Sequence, residues 1–297
     1  MPPVNVAVVD VGSNTARLLV AAVDGHDLVQ VRRERHYLRL GDDVHALGRI
    51  GPAKLAETAT VARRLARLAR KAGAEQLETI VTAPGRQAVN GSELVAVLER
   101  ATDAPVAQLA GEDEGRLAWE GAVARPGRPA NVVTVIDVGG GSCEVAVGAR
   151  GVGPEWVRSI DTGALLITRA YLARGRPTAR QIATAREAIR RLVGSFDPPP
   201  AEAVLVVGGT ARAIRRVIGS PFGWDQLEGL AQTLERVPPG SIASSHGVTL
   251  ERVQTLLGGT LVLAELAYRL DAMLHVADGG VREGAALVLA RGLRAAA

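Results

Sequence analysis

The chain has one cysteine, Cys143, so it has no disulfide framework, and a reducing compartment is expected. Its five histidines (His26, His36, His45, His246, His275) are scattered, with none at metal-ligand spacing. That argues against zinc and leaves oxygen ligands for any metal. Aromatics are only 3%, so the cores must be built from Val, Leu, Ile and Ala. No apolar run approaches the ~20 residues a membrane span needs. Met1-Pro2-Pro3 runs directly into a strand pattern without a targeting segment, so a cytoplasmic protein with no membrane partner is expected. Only Lys54 and Lys71 are lysines, and neither follows a glycine pair, which excludes a G-x-x-x-x-G-K-[ST] phosphate loop. Gly139-Gly140-Gly141 lacks the third glycine of a dinucleotide fingerprint, and Ser142 lacks the G-x-S-x-G frame of a hydrolase elbow.

What is present is a repeated acidic glycine turn. Val132–Gly148 is a β-branched run ending in Asp137, a turn Gly139-Gly140-Gly141-Ser142, and a second strand-like run from Cys143. Glycine lets such a turn take positive φ and lets backbone N–H groups approach an anion, while the acid suits a hard cation. Val6–Ser13 (V-A-V-V-D-V-G-S) matches Val133–Gly140 (V-T-V-I-D-V-G-G), so Asp10 and Asp137 are equivalent. A repeated strand–turn–strand points to two related half-molecules facing a shared cleft. A third glycine turn, Gly208-Gly209-Thr210, enters the helical pattern Ala211–Ile218 and adds a helix N-terminus, another anion-binding device.

At 297 residues and 47% hydrophobic content the chain has material for two cores. The net charge of +4, almost all arginine, favours acidic partners, and bidentate guanidinium groups suit phosphate. No nucleic acid partner is expected. Strands are predicted at Asn5–Asp10, Arg17–Asp24, Asp27–Arg35, Glu78–Thr82 and Pro105–Leu109, and helices at Pro52–Gly73, Ser92–Thr102 and Gly111–Val123. His36–Gly51 reads as an irregular polar loop. The polar, Pro/Gly-rich Ala124–Ala130 is the best boundary, giving domains 1–124 and 125–297, the last helix being a candidate to pack back on the first. The second half is predicted to repeat the strands at Val132–Asp137, Cys143–Gly148 and Trp156–Asp161. It continues with helices Ala164–Ala173 and Thr178–Leu192, strand Ala203–Val207 and an irregular Pro221–Ser245. A long helix Thr249–Leu270 broken at Gly258-Gly259, a strand Met273–Ala277 and a closing helix Ala285–Arg294 complete it.

Six segments together carry a resemblance. They are D-V-G-S-N-T-A-R-L (Asp10–Leu18), T-A-P-G-R-Q-A-V-N (Thr82–Asn90), G-E-D-E-G-R-L (Gly111–Leu117), D-V-G-G-G-S-C-E (Asp137–Glu144), G-G-T-A-R (Gly208–Arg212) and G-V-R-E-G (Gly280–Gly284). In this order the chain resembles the exopolyphosphatase / guanosine pentaphosphate phosphohydrolase (Ppx/GppA) family of the actin-like ATPase superfamily, in a short two-domain form. Ala83-Pro84-Gly85 departs from the family's usual loop but keeps Thr82, Arg86 and Asn90.

The resemblance implies an α/β fold of two actin-like (ribonuclease H-like) domains with a phosphate-binding cleft between them. It implies release of terminal phosphate from inorganic polyphosphate or guanosine pentaphosphate. Acids at the start of Gly111–Val123 offset the helix dipole; by resemblance Glu114 is further the base that activates water. Phosphate binding falls to Gly12, Ser13, Asn14, Arg17, Arg86, Gly139, Gly140, Gly141, Ser142, Gly208, Gly209 and Thr210. Mg²⁺ (or Mn²⁺) falls to Asp10, Asp137 and Glu144, partly through water. Arg282 and Glu283 read as a structural pair, and a homodimer is implied by the family alone. An actin-like kinase or ATPase, or a non-catalytic sensor of polyphosphate or a guanosine alarmone, remains as an alternative.

Overall fold

The computed structural model describes residues 2–124, 130–172 and 176–296. The boundary residues 125–129, and Ala173 at the end of one predicted helix, lie outside that set. The chain divides into two compact units, Met1–Gly127 with Gly279–Ala297, and Arg128–Asp278. The closing helix therefore groups with the first unit.

The first unit runs β1 (Val4–Val11), β2 (Thr15–Asp24), β3 (Asp27–Tyr37), α1 (Leu40–Leu47), α2 (Pro52–Lys71), β4 (Gln76–Val81), α3 (Ala83–Gln87), α4 (Gly91–Thr102), β5 (Val106–Gln108) and α5 (Gly111–Val123). Its sheet order is β3-β2-β1-β4-β5, with β2 antiparallel and β4 and β5 parallel. β1 is apolar on both faces because it lies at the sheet centre with helices on either side. β3 alternates exposed and half-buried residues because it is an edge strand.

The second unit runs β6 (Val132–Val138), β7 (Cys143–Ala149), β8 (Gly153–Ile160), α6 (Ala164–Tyr171), α7 (Ala179–Val193), β9 (Ala203–Val207), α8 (Gly208–Ile218), α9 (Trp224–Arg236), α10 (Pro239–His246), α11 (Leu250–Val253), α12 (Leu256–Leu270) and β10 (Leu274–Val276). Its sheet order β10-β9-β6-β7-β8 is that of the first sheet, with β6 in the place of β1. α13 (Val281–Ala296) then returns to the first unit and packs on α5, β1 and β2. A side chain at Gly121 would meet the Gly280 carbonyl and one at Gly284 the Leu117 carbonyl, so these glycines set how closely α5 and α13 cross.

Three expectations are corrected. His36–Gly51 is not wholly irregular, since it holds α1. Pro221–Ser245 holds α9, whose Leu227, Leu230, Ala231 and Leu234 form one buried stripe, and α10, with Pro239 in its first turn. The 249–270 segment breaks at Gln254-Thr255, between α11 and α12, not at its glycines. Gly258 and Gly259 lie inside α12 where it closes on Ala164, Thr168 and Thr210. Among the described residues no helix is long and apolar enough to cross a membrane.

Candidate active site

In the first unit the β1–β2 turn, the end of β4 and the start of α5 all follow the C-terminal ends of parallel strands, so they share one edge of the sheet. The turn is closed by Gly12 N–H donating to Thr15 O at 3.0 Å. Its carbonyls are held by the next segment: Leu38 and Arg39 N–H both donate to Asn14 O, and Gly41 N–H to Ser13 O. Ser13 buries its Oγ with no hydrogen-bond partner among the described residues. A side chain at Gly12 would lie 3.4 Å from Thr82 Oγ1 and 4.0 Å from Asp10 Oδ1, so only backbone stands between these groups.

Asp10 is opposite Arg17 in the β1–β2 register, and Arg17 is opposite Arg35 in the β2–β3 register. Directly opposed residues share a face, so the three form one row across the sheet. Arg17 Nε also donates to Thr15 Oγ1 at 3.0 Å. Burial pushes the Asp10 carboxyl above the ordinary carboxylate range; Arg17 and then Arg282 pull it back, and Glu283 adds to the rise.

Arg86 on α3 and Glu114 in the first turn of α5 meet directly. Arg86 Nη1 donates to Glu114 Oε2 at 3.0 Å and to Leu109 O at 2.9 Å. Glu114 is buried. Arg86, expected to grip phosphate, thus also fixes the orientation of the acid expected to act as base.

The second unit repeats the turn with different side chains. Gly139 N–H donates to Ser142 O at 3.0 Å. The carbonyls of Gly139 and Gly140 cap the first amides of α6, Ala164, Leu165 and Leu166. This docking is so close that a side chain at Gly163 would overlap the Gly140 carbonyl. Thr162, just before it, buries a hydroxyl with no hydrogen-bond partner among the described residues. Asp137 is opposite Glu144, both buried, and Ser159 Oγ donates to Glu144 Oε1 at 2.8 Å. Gly208, with φ 87°, begins α8 beside Asp137, where a side chain would overlap Asp137 Oδ1. Thr210 Oγ1 donates to Val138 O, so the G-G-T turn is tied to the acidic turn, with Gly209 between these anchors.

Two neighbouring buried carboxylates are a donor set suited to Mg²⁺, which usually keeps waters and takes one or two protein carboxylates plus substrate phosphates. Among the described residues no group of three or more acidic, histidine or cysteine side chains could hold a metal. Asp137 and Glu144, opposite each other, are the two carboxylates that could hold such an ion, and Asp10, opposite the Arg17 guanidinium, suits it less well. Sequence reasoning missed Arg282, which was read only as part of a pair with Glu283. Glu283 instead pairs with Arg33 at 2.7 Å, while Arg282 acts on Asp10. The Gly279-Gly280 and Gly284 flanks, which allow the close approach to α5, were the available signal.

Two units of this strand order, each with an acidic glycine turn at the same place, define an actin-like fold. A model of the Ppx/GppA phosphatase family matches residues 19–220, and the chain belongs to that family. It is 30% identical to exopolyphosphatase 2 of Mycobacterium tuberculosis over 96% of this chain and 98% of that protein. It is 26% identical to exopolyphosphatase 1 of Mycobacterium bovis over 93% and 86%. Among solved structures, an exopolyphosphatase-like protein superposes with a TM-score of 0.89 at 22% identity, covering 99% and 100% of the two chains. The Ppx/GppA family member of Aquifex aeolicus superposes with a TM-score of 0.79 at 23% identity, covering 99% of each. At these identities the structures speak for the fold.

Proposed function

We propose that the protein is an exopolyphosphatase, releasing the terminal phosphate of inorganic polyphosphate by attack of water, with guanosine pentaphosphate as the second candidate substrate. The observation that carries this is the Arg86–Glu114 pair, a buried carboxylate oriented by a guanidinium on the sheet edge that also bears the Gly12–Thr15 turn. The full-length similarity to exopolyphosphatase 2 supports the choice of polyphosphate. Glu114 takes the proton of the attacking water. Arg86 holds that carboxylate in place. Ser13, Asn14 and Arg17 bind phosphate oxygens through backbone donors, hydroxyl and charge, Gly12 closes the turn that presents them, and the buried Ser13 Oγ gains a partner when they do. Gly140, Gly141, Ser142, Gly208, Gly209 and Thr210 supply the equivalent donors of the second unit, and Gly139 closes its turn.

Asp137 and Glu144 would hold Mg²⁺ (or Mn²⁺), and an ion held there would neutralise developing charge on the phosphoryl oxygens. Phosphoryl transfer needs mainly positioning and charge neutralisation, which this donor set provides. The test is phosphate release with Mg²⁺ from long-chain polyphosphate, guanosine pentaphosphate and ATP side by side. Release chiefly from polyphosphate is expected. Release chiefly from the guanosine compound would move the protein to alarmone turnover, and release chiefly from ATP would return the kinase or ATPase reading.

A further inference from the structure

We propose that Arg35 and Arg39 form an outer anion subsite beside the Ser13–Asn14 turn, holding the phosphates of a long polyphosphate chain that lie beyond the one being removed. This rests on the polyphosphate reading above and names two residues that reading does not use.

Four arginines stand on β3 and just past it in the same stretch, and they divide cleanly. Arg32 is paired with Glu34 at 2.8 Å and Arg33 with Glu283 at 2.7 Å. Arg35 and Arg39 are exposed, and among the described residues neither is in an ion pair. The two uncompensated charges are also the two nearest in structure to the phosphate turn. Arg35 continues the cross-strand row from Asp10 through Arg17. Arg39 donates its own N–H to Asn14 O at 3.1 Å.

Each carries a sign that its side chain is placed rather than tolerated. The Arg35 guanidinium lies over the Tyr37 ring, 5.2 Å from its centroid. That contact orients the group without cancelling its charge. Arg39 sits at φ 56°, ψ 40°, a left-handed conformation that is strained for a non-glycine residue. Glycine would make the same backbone bond to Asn14 at no such cost. What arginine adds there is a cationic fork suited to phosphate. The ligand this chemistry selects is a repeating polyanion. A nucleotide base would seek an open aromatic face, and the Tyr37 face is taken by Arg35.

The experiment compares Arg35→Gln, Arg39→Gln and the double variant on tripolyphosphate and on long-chain polyphosphate. For the long chain the double variant should raise KM about tenfold, the sum of two exposed charge interactions, while kcat changes little. For tripolyphosphate, whose three phosphates the inner loops take, KM should rise less than about threefold. On the long chain the slope of log KM against log salt should fall by about 0.7 for each arginine replaced. Arg39→Lys should restore most of the long-chain KM. Arg39→Gly should raise the thermal midpoint while raising KM; a lower midpoint would show that Arg39 serves packing. Equal effects on both chain lengths, or none on the long one, overturn the subsite.

Long-chain polyphosphate affinity is measured in parallel by calorimetry in the Glu114→Gln background. If wild type releases phosphate from neither chain, the hydrolase reading fails and calorimetry alone decides. Weaker binding by the double variant then upholds the subsite, and unchanged binding overturns it.

Discussion

The two acidic turns are the same device with opposite charges set against the acid. Asp10 and Arg17 stand opposite each other across β1 and β2, and Asp137 and Glu144 across β6 and β7. The separation in sequence is equal, and the closing bond, Gly12 N–H to Thr15 O or Gly139 N–H to Ser142 O, is 3.0 Å in both. In both, the segment after the third strand is docked by N–H groups onto the turn's carbonyls. What differs is the residue facing the acid, a guanidinium in the first unit and a carboxylate in the second. On the proposed reading, one backbone serves an anion in the first unit and a cation in the second. On the same reading the base is a feature of the first unit, since α6 and α8 have no acid in their first turns whereas α5 has Glu112, Asp113 and Glu114.

The largest effect should come from removing that base. Glu114→Gln should lower kcat by about 10²–10⁴-fold and leave KM nearly unchanged, read from steady-state phosphate release. Turnover close to wild type would leave the first unit without its distinguishing chemistry. Next come the residues facing the two acids. Glu144→Gln should raise the Mg²⁺ concentration for half-maximal activity by about tenfold or more. Arg17→Gln should raise KM for polyphosphate by about tenfold at unchanged Mg²⁺ dependence. If both variants shift the Mg²⁺ requirement alike, the division into anion turn and cation turn collapses.

A smaller effect should separate the glycines. Gly208→Ala adds a methyl group that overlaps Asp137 Oδ1, at φ 87°. It should cost about 1–3 kcal/mol by chemical denaturation. Gly12→Ala meets Thr82 Oγ1 only at 3.4 Å, an ordinary contact, and should cost less. Equal losses would mean that the approach of Gly208 to Asp137 is no tighter than that of Gly12 to Thr82.

The repeat itself was legible because β1 and β6 are central strands, apolar on both faces, ending in the same Asp-Val-Gly. Glu114 was legible only through resemblance, since acids at a helix start are satisfied by capping alone. Its partner was not legible: Arg86 and Glu114 are 28 residues apart and meet only because β4 and β5 are neighbours. Arg282 lies at the far end of the chain, on α13, which packs on β1, and its charge opposes the rise of the Asp10 carboxyl. α1 was hidden because it has eight residues, one of them buried, and begins at Arg39 without a side-chain cap. α9 did show its buried stripe, but the surrounding prolines outweighed it.

The smallest effect compares the two bodies away from either turn. Burial raises the carboxyl of Glu78 on β4 and that of Glu265 on α12; at Glu265 Arg190, Arg269 and Arg186 oppose the rise, whereas at Glu78 nothing opposes it. A raised carboxyl binds its proton more tightly in the folded protein. Its contribution is therefore fully present below the unfolded value and lost as pH rises through the folded one. Burial disfavours the ionised form of both acids at pH 7, a desolvation cost that glutamine does not carry. Glu78→Gln should raise the thermal midpoint at pH 7 by about 1–3 °C, and Glu265→Gln by less. Near pH 4 both gains should shrink, because wild type then holds the protons as well. A gain independent of pH would trace the effect to packing, and a larger gain at Glu265 would mean that its three arginines do not compensate it.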